Sequence, residues 1–408
     1  MVEGTAIIGG GPAGFMAGII AAENGAENIE IFESKEALKS ILWTGNGRCN
    51  ITNATFDFKE LAASYPRGEK FLYSAFSKFG SVECMDWFSS HGLELYIESD
   101  NRVFPKSNDA SEVRSVLLNL AKNSGIKVNN HTQVLDIEAF GDKFRVITAK
   151  NHLLFDKLVI STGGNYKKPV NSGYFMAEKL GHSVTKLKPS LSALVVKEIW
   201  AYGLAGVGVK RAEIKALQGS KEIAHAYGDF IFTHRGVSGP LIFKISSYCA
   251  FVDYDEENPL ILKINFVPDI EKSALEKEIL NELDKNSKKS VENILKKYIP
   301  RSLIQALLGS ELIDPEKKAS QITREDRKSI IRLLTEAILS AKASESDHEI
   351  VTAGGVELNE VNAATMESKL HKNLYFCGEL LNIDGLTGGF NLQACWSTGY
   401  AAGISLAK

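Results

Sequence analysis

A glycine pattern near the N-terminus has the spacing that binds the pyrophosphate of a dinucleotide. Gly9, Gly11 and Gly14 form a G-x-G-x-x-G pattern between the apolar run Thr5–Ile8 and an apolar stretch over residues 13–24. This order predicts a buried strand, a tight turn and a helix. The first glycine allows the turn, the second leaves room for a phosphate beside the backbone, and the third lets the helix pack closely on the sheet. The helix N-terminus then presents unpaired N–H groups and a partial positive charge to the phosphates.

An acidic residue follows at the distance typical of a ribose contact. A second predicted strand, Ile29–Phe32, ends at Glu33, which lies 19 positions after Gly14. A carboxylate at this point accepts hydrogen bonds from the ribose hydroxyls of a bound nucleotide. Because strand, glycine turn, helix, second strand and acid occur in register, we expect a dinucleotide site here. Its contacts are expected at Gly9, Gly11, Pro12, Ala13, Gly14, Glu33, Ser34 and Lys35.

Two other interpretations of this segment are weaker. A secretory signal peptide needs basic residues before its apolar run. Here that region carries Glu3 and no Lys or Arg, and glycines interrupt the run. An ordinary buried βαβ unit with a glycine-rich turn would leave Glu33 as a plain solvated strand end, without a reason for its position.

A second glycine-rich motif, near the C-terminus, suits a flavin. It follows a predicted strand over residues 374–376 and carries two carboxylates, Glu379 and Asp384. A glycine pair, Gly388-Gly389, then opens a predicted helix near Asn391. A carboxylate past a strand end suits ribityl hydroxyls, and a helix N-terminus stabilises the negative charge that reduction places on an isoalloxazine ring. The alternative is a glycine-rich turn before an ordinary closing helix, but the N-terminal nucleotide pattern favours the flavin.

The composition is that of a globular protein in a reducing compartment. The 408 residues are enough for two or three domains, with 44% hydrophobic and 24% charged residues. The formal net charge of −3 provides no overall attraction for nucleic acid or an anionic membrane. The five cysteines are scattered without a C-x-x-C pair, which argues against disulfides and structural zinc. No apolar run is long enough to span a membrane. We therefore expect a cytoplasmic protein with no metal and with no membrane or nucleic-acid partner.

The remaining pattern indicates one α/β domain interrupted by insertions. The expected elements are a helix from Asp109 to Asn123, a β-meander over 134–140, 143–149 and 153–161, helices over 271–283 and 324–341, and a returning strand over 350–356. The expected domains are a nucleotide-binding domain (1–188 and 346–408), an inserted β-rich domain (189–268) and a helical domain (269–345). Insertions of this kind leave from loops at the ligand edge of a sheet, where a substrate needs cover.

Five motifs closely resemble those of a family of bacterial flavoproteins, the NAD(P)/FAD-dependent oxidoreductases that include aminoacetone oxidase and a flavoprotein of bile-acid dehydroxylation. The motifs are TGNGRCNITN, ESDNRVFP, FTHRGVSGPLIFKIS, VTAGGV and LYFCGELLNIDGLTGGFNLQACWSTGYAAG. The resemblance covers essentially the whole chain in the same order. It implies an α/β fold in which a two-part Rossmann-like domain binds FAD non-covalently, with an inserted β-barrel-like domain and a small helical domain.

The resemblance also implies roles for individual residues. Thr44, Gly45, Gly47, Arg48, Cys49 and Asn50 would line the flavin side. Val134 would face adenine through its backbone, and Thr162 with Gly163 would close over the nucleotide. The ribityl chain and the ring would be held by Gly378, Glu379, Asp384, Gly388, Gly389, Asn391 and Leu392. The chain departs from the family at Asn46, where relatives often have glycine, and over residues 166–173, which lack a Ser-Thr-Gly-rich run.

Two further candidates each have two interpretations. Cys49 is either a redox thiol beside the flavin or a small buried hydrophobe, the commoner role of a lone cysteine. His234-Arg235 either meets an anionic substrate or ends the turn before a helix near Pro240. No general base stands out, so the catalytic side chains are unknown.

The function expected from these observations is flavin-mediated hydride transfer to or from a small molecule. The substrate classes are amines, aminoketones and 3-oxo compounds, with transiently bound NAD(P)H or O2 as the redox partner. Two alternatives are a flavin-dependent RNA-modifying enzyme and a non-catalytic flavin-binding sensor. The substrate, the electron partner and the oligomeric state are not encoded in any motif of the chain.

Overall fold

The computed structural model describes residues 4–165, 167–345 and 351–408. The two ends of the chain, up to Lys188 and from Val351, combine into one unit, and the middle of the chain from Pro189 forms a second. Helices and strands are numbered below along the chain.

A five-stranded parallel sheet organises the first unit, in the order β19-β10-β1-β2-β6. Its strands are β1 (Thr5–Ile8), β2 (Ile29–Phe32), β6 (Lys127–Asn129), β10 (Lys157–Ile160) and β19 (Leu374–Phe376). The central strand β1 is buried along its whole length, as expected for a parallel sheet that is covered on both faces. The predicted α/β fold is therefore confirmed, including the strand–turn–helix–strand order of the N-terminal motif.

Two helices from opposite ends of the chain pack against each other beside this sheet. They are α1 (Pro12–Glu23) and α13 (Phe390–Leu406). Gly399 and Gly403 make the close approach possible, because a Cβ would lie 2.6 Å from the Ala13 carbonyl oxygen at the first position and 2.7 Å from that of Ala17 at the second. The N-terminal and C-terminal glycine motifs thus belong to one packed layer.

The other elements of the first unit surround the sheet. They are β3 (Thr52–Asn53), β4 (Leu95–Ile97), β5 (Arg102–Pro105), β7 (Val134–Phe140), β8 (Lys143–Thr148), β9 (His152–Phe155), β18 (Val351–Ala353), α2 (Phe58–Ala62), α3 (Glu69–Phe76), α4 (Ser81–Ser90), α5 (Ala110–Asn123) and α6 (Gly173–Lys179), with β11 (Lys188–Ser190) at its boundary. The single strand expected over 153–161 is wrong. It is divided at Asp156, whose carboxylate accepts a hydrogen bond from the Gly4 N–H, so that β9 joins the antiparallel meander and β10 joins the parallel sheet.

The second unit contains a closed antiparallel barrel with strand order β12-β15-β14-β13-β16-β17, which confirms the expected β-barrel-like insertion. The strands are β12 (Leu194–Val196), β13 (Gly208–Gln218), β14 (Lys221–Phe232), β15 (Gly236–Ser238), β16 (Leu260–Asn265) and β17 (Ala337–Ser344). The helices are α7 (Ile199–Tyr202), α8 (Pro240–Tyr248), α9 (Lys272–Lys285), α10 (Val291–Leu295), α11 (Arg301–Ser310) and α12 (Arg324–Thr335).

One boundary in the second unit differs from the expectation. The helix expected over 324–341 ends at Thr335, and the chain continues as β17, the strand that pairs with β12 and β16. The inward-facing side chains of β17 alternate with outward-facing ones, as the barrel requires. Tertiary pairing therefore overrides the helical pattern in this segment.

Candidate functional site

The N-terminal glycine turn is closely packed on two sides. Gly9 has φ +107°, and a Cβ there would lie 2.4 Å from the Ser161 carbonyl oxygen. The Ser161 hydroxyl donates to the carbonyl oxygens of Ile8 and Gly9, at 3.1 and 3.0 Å. A Cβ on Gly14 would lie 2.2 Å from the Gly9 carbonyl oxygen. The first and third glycines of the motif are therefore required by the fold itself.

The second glycine of the motif faces open space instead. A Cβ on Gly11 would meet no atom within 4 Å, although Gly11 precedes the first residue of α1. Its φ of −88° and ψ of −175° are accessible to any residue, so neither strain nor packing explains the glycine. No side chain caps the N-terminus of α1. An uncapped helix N-terminus beside an open space fits a pyrophosphate.

Glu33 lies at the end of β2 and faces the glycine turn. Its Oε2 accepts a hydrogen bond from the Gly10 N–H at 2.8 Å. Its Oε1 accepts from the Lys35 N–H at 2.8 Å and from the Ser34 hydroxyl at 3.2 Å. A carboxylate has about four acceptor sites, so these three bonds orient the group and leave room for a ribose hydroxyl.

The segment expected at the adenine lies beside Glu33. The Thr132 N–H donates to the Glu33 carbonyl oxygen, and the His131 N–H donates to that of Lys35, both at 2.8 Å. Val134 begins β7 two residues later and is buried. Thr162 and Gly163 come shortly after the C-terminal end of β10, on the same edge of the parallel sheet as Glu33, which follows β2.

The loop expected on the flavin side has an unusual backbone. A 3-10 helical segment, Lys39–Gly47, is interrupted at Thr44, after which Gly45, Asn46, Gly47 and Cys49 all have positive φ. Asparagine tolerates the left-handed region better than most residues, which explains how Asn46, with φ +57°, replaces the glycine of relatives. The Cys49 N–H donates to the Thr44 carbonyl oxygen at 3.0 Å and closes the loop.

Three asparagines hold the glycine turn that precedes α13. Asn53 Nδ2 donates to the Gly388 carbonyl oxygen at 3.0 Å, and Asn391 accepts from the Gly385 N–H at 2.8 Å. In the amide orientation that satisfies both of its ends, Asn50 accepts from the Gly389 N–H at 2.9 Å. Gly389 is the N-cap residue of α13, and among the described residues no side-chain cap of this helix is seen. An uncapped helix N-terminus of this kind suits a group that carries negative charge.

The two carboxylates of the C-terminal motif have different environments. Glu379 is half-buried, and its Oε1 accepts from the Thr352 N–H at 2.8 Å. Asp384 is completely buried, and both its carboxylate oxygens bind the guanidinium of Arg67. The pairing favours a structural role for Asp384, and its expected contact with the ribityl chain stays a prediction. Sequence reasoning missed Arg67, since nothing in the linear pattern links two residues that are 317 positions apart.

The thiol of Cys49 does not reach the surface either. The residue is completely buried, and burial raises the pKa of the thiol to about 12. A protonated, enclosed thiol is a poor nucleophile. Burial therefore favours the interpretation of Cys49 as a small hydrophobe of the core over that of a redox thiol, and its expected cofactor contact stays a prediction.

His234 and Arg235 lie in the second unit, in the turn between β14 and β15, and both are exposed. The Arg235 N–H donates to the Thr233 hydroxyl at 3.4 Å, and its carbonyl oxygen accepts from the Val196 N–H at 3.1 Å. The turn is rigid while its basic side chains face solvent, so both interpretations of this pair stay open. Tyr166, the first residue of the segment 166–173 that departs from the family pattern, lies outside the described residues.

The described ranges contain neither a metal cluster nor a membrane-spanning helix. No group of three or more His, Cys, Asp or Glu side chains is placed to hold a metal ion there. No helix in those ranges has the length and hydropathy to cross a membrane.

Comparisons with known proteins agree along the whole chain. The family model described as the HI0933-like protein Rossmann domain matches residues 3–405. The 3-dehydro-bile acid delta(4,6)-reductase of Clostridium scindens is 32% identical, over 98% of each chain. The ribosomal RNA dihydrouridine synthases of Escherichia coli and Haemophilus influenzae are 28% and 25% identical over 98% of this chain, and the matches cover 97% and 98% of those proteins.

Two solved structures share the fold. The 3-ketosteroid-delta4-(5alpha)-dehydrogenase of Rhodococcus jostii is 13% identical with a TM-score of 0.50, covering 99% of this chain and 96% of that one. The E. coli quinol fumarate reductase is 13% identical with a TM-score of 0.51, covering 99% and 70%. At this identity the likeness concerns the fold alone.

Proposed function

This chain is an oxidoreductase of the HI0933-like Rossmann family, and we propose that it uses non-covalent FAD to reduce a carbon–carbon double bond conjugated with a carbonyl group. The observation that carries the proposal is the pairing of two uncapped helix N-termini from opposite ends of the chain. One, at α1, adjoins the open space at Gly11, and the other, at α13, follows the turn at Gly389. An extended dinucleotide with a flavin at one end has the two polar groups that such a pair would bind.

The names of the relatives share one reaction type. A 3-dehydro-bile acid delta(4,6)-reductase acts on double bonds in conjugation with the 3-oxo group of a steroid. A dihydrouridine synthase reduces the uracil double bond that is conjugated with a ring carbonyl. Reducing such a bond places a hydride on its electrophilic carbon, which is β to the carbonyl for the nearest double bond and δ to it for the next one in conjugation. A proton from solvent then adds to a carbon of the resulting enolate. Bound reduced FAD would supply the hydride, and NAD(P)H is the proposed source of its electrons.

The side chains of this protein would bind and orient the cofactor. Gly11 and the N-terminus of α1 would take the pyrophosphate, and Glu33 the adenosine ribose. Glu379 would accept hydrogen bonds from the ribityl chain, while Thr44–Asn50 and the N-terminus of α13 would face the ring. The positive end of a helix stabilises the anionic reduced ring by about 0.3–2 kcal/mol.

Anaerobic single-turnover kinetics tests this proposal. The purified protein is loaded with FAD, reduced with NADPH or dithionite, and mixed with a 3-oxo-4-ene steroid while the flavin absorbance is followed. We expect the flavin to reoxidise and the saturated ketone to form in equal amount. A 3-oxo steroid without the double bond is the matched control and should leave the flavin reduced. Protein that stays colourless with added FAD, or reduced flavin that no conjugated carbonyl compound reoxidises, would contradict the proposal.

A second candidate is reduction of uridine in RNA, which two full-length relatives favour by name. The net charge of −3 provides no overall attraction for RNA, so we rank it second. The two candidates differ in substrate but share the cofactor. Incubating the reduced protein with unmodified ribosomal RNA and with the steroid enone separates them: dihydrouridine in the RNA digest, with no saturated steroid, would support the second candidate.

A further inference from the structure

The motif ESDNRVFP forms a hairpin whose role the nucleotide site does not explain. It begins directly after β4 and contains the tip of the hairpin and β5. At the tip, the Glu98 N–H donates to the Arg102 carbonyl oxygen at 2.8 Å, and the Asn101 N–H donates to that of Glu98 at 3.0 Å. The backbone of Glu98 is thus fixed before its side chain makes any contact.

The Glu98 carboxylate binds two arginines at once. Its Oε1 lies 2.8 Å from Arg48 Nη1, and its Oε2 lies 2.8 Å from Arg102 Nη2. The guanidinium of Arg48 also stacks on Phe104, with Cζ 4.0 Å from the ring centroid. The hydrogen bond that Arg48 donates to Glu98 is the main reason that the pKa of Arg48 is raised above its ordinary value. The side chains of Arg48 and Glu98 are 30% and 24% exposed, so water screens this pair only in part.

Arg48 belongs to the loop on the proposed flavin side. Its Nε approaches the Gly45 carbonyl oxygen at 3.4 Å, and its backbone N–H donates to the same oxygen at 3.3 Å. Four residues of this loop have positive φ, which non-glycine residues adopt only when their surroundings hold them there. The contacts that hold Arg48 in place therefore also hold the loop.

The same hairpin reaches the turn before α13 through its strand β5. The Ile51 N–H donates to the Val103 carbonyl oxygen at 2.9 Å. The Asn50 amide donates to that same oxygen at 3.2 Å and accepts from the Gly389 N–H at 2.9 Å. The side chain of Asn50 therefore links the hairpin to the turn before α13.

We propose that Glu98 is a positioning residue of the flavin site, which acts through Arg48 to hold the loop Thr44–Asn50 in its binding conformation. The expected effect of Glu98 on flavin binding rests on the proposed function. The expected effect of Glu98 on the loop is independent of any cofactor. Removing the charge of Glu98 should release Arg48, and the positive-φ segment should then adopt other conformations.

The variant Glu98→Gln tests this, with Glu94→Gln as the matched control. Glu94 lies on the same hairpin and pairs with Lys106, but both side chains are exposed. In the FAD-loaded protein we expect Glu98→Gln to weaken FAD binding about three- to tenfold, the effect of losing one partly screened charged hydrogen bond. It should also change the visible circular dichroism of the bound flavin. Glu94→Gln should do neither.

A second measurement needs no cofactor. Trypsin cleaves after arginine, so the rate of cleavage after Arg48, mapped by mass spectrometry, reports the freedom of the loop. We expect this rate to rise at least fivefold in Glu98→Gln and to stay unchanged in Glu94→Gln. Arg48→Lys keeps the charge but loses the planar fork. Arg48→Lys should weaken FAD binding as Glu98→Gln does. Because the two residues act as one pair, the double variant should bind FAD no more weakly than either single variant.

The outcomes are distinct. If the wild-type protein binds no FAD, the proposed function fails, and the trypsin measurement alone decides the role of Glu98. If the wild-type protein is yellow and Glu98→Gln matches it in affinity, dichroism and cleavage rate, only the present inference fails. A lower melting temperature with unchanged dichroism and cleavage would show a merely stabilising ion pair and would overturn the proposal as well.

Discussion

The variant Gly11→Val separates the two uses of glycine in the N-terminal motif. The side chain would enter the open space beside the uncapped N-terminus of α1, where a Cβ meets no atom within 4 Å. The φ of −88° suits valine, so the fold needs no rearrangement. Loss of a favourable N-cap residue costs up to about 1 kcal/mol. Reduced freedom of the unfolded chain returns about 0.4–1 kcal/mol. The stability of the apoprotein should therefore change by less than about 1 kcal/mol.

Binding of FAD should respond much more strongly. The valine carbons would occupy the space proposed for the pyrophosphate. The lost interactions are one hydrogen bond to a charged group and the helix-terminus effect, together about 2–5 kcal/mol. This corresponds to an affinity about 30- to 5000-fold weaker. Urea unfolding of the apoprotein and fluorescence titration with FAD measure the two quantities separately.

The matched control is Gly14→Ala, three residues along the motif. Here the Cβ would lie 2.2 Å from the Gly9 carbonyl oxygen and 2.6 Å from the Ser161 hydroxyl, so overpacking should destabilise the apoprotein by about 1–3 kcal/mol. A folded Gly11→Val protein that binds FAD within threefold of wild type would refute the pyrophosphate assignment. Equal destabilisation by the two variants would show that the space at Gly11 is not open.

Three other predictions follow from single contacts. Glu33→Gln removes the charge at the proposed ribose contact and should weaken FAD binding about ten- to a hundredfold in a fluorescence titration. A change below about twofold would show that Glu33 does not bind the ribose. Arg67→Met removes the guanidinium that pairs with the completely buried Asp384 carboxylate and should cost about 3–5 kcal/mol in urea unfolding. The double variant with Asp384→Leu should recover most of this cost, and a loss below about 1 kcal/mol in the single variant would contradict the prediction. Burial lowers the pKa of His182 below its ordinary 6.5, so the stabilisation by neutral His182 is complete above pH 6.5 and is lost as the pH falls through the lowered pKa. The urea midpoint of unfolding should therefore drop over this pH range in the wild-type protein, and it should depend less on pH in His182→Gln. Parallel plots of midpoint against pH for the two proteins would assign the pH dependence to other groups.

The N-terminal nucleotide motif was predictable because its parts are local. Strand β1, helix α1 and strand β2 follow from hydrophobic period and glycine placement within about thirty residues. The reason for Gly9 and Gly14 proved to be packing against Ser161, a residue far along the chain, but the spacing alone identified them. The β-rich character of the insertion was likewise predictable from its strand patterns, whereas the barrel was expected only from the resemblance to the family.

The features that the sequence did not reveal share one physical cause. The segment 337–344 continues a helical pattern without a Gly or Pro to end it, and only pairing with β12 and β16 makes it a strand. Asp384 carries the same carboxylate as Glu379, and only the proximity of Arg67 removes it from the surface. Cys49 lies within a motif of polar residues, and only the packing around it raises the pKa of its thiol.

The sequence by itself determined the α/β class, the two glycine motifs and the resemblance to the family, because each depends on residue types at short, regular spacings. The barrel was expected only through that resemblance. The tertiary structure decided which polar groups of those motifs face open space and which are paired inside. That choice depends on contacts between residues hundreds of positions apart, such as Arg67 with Asp384 and Asn50 with Gly389. Burial and charge pairing are properties of the packed chain, so no local pattern contains them.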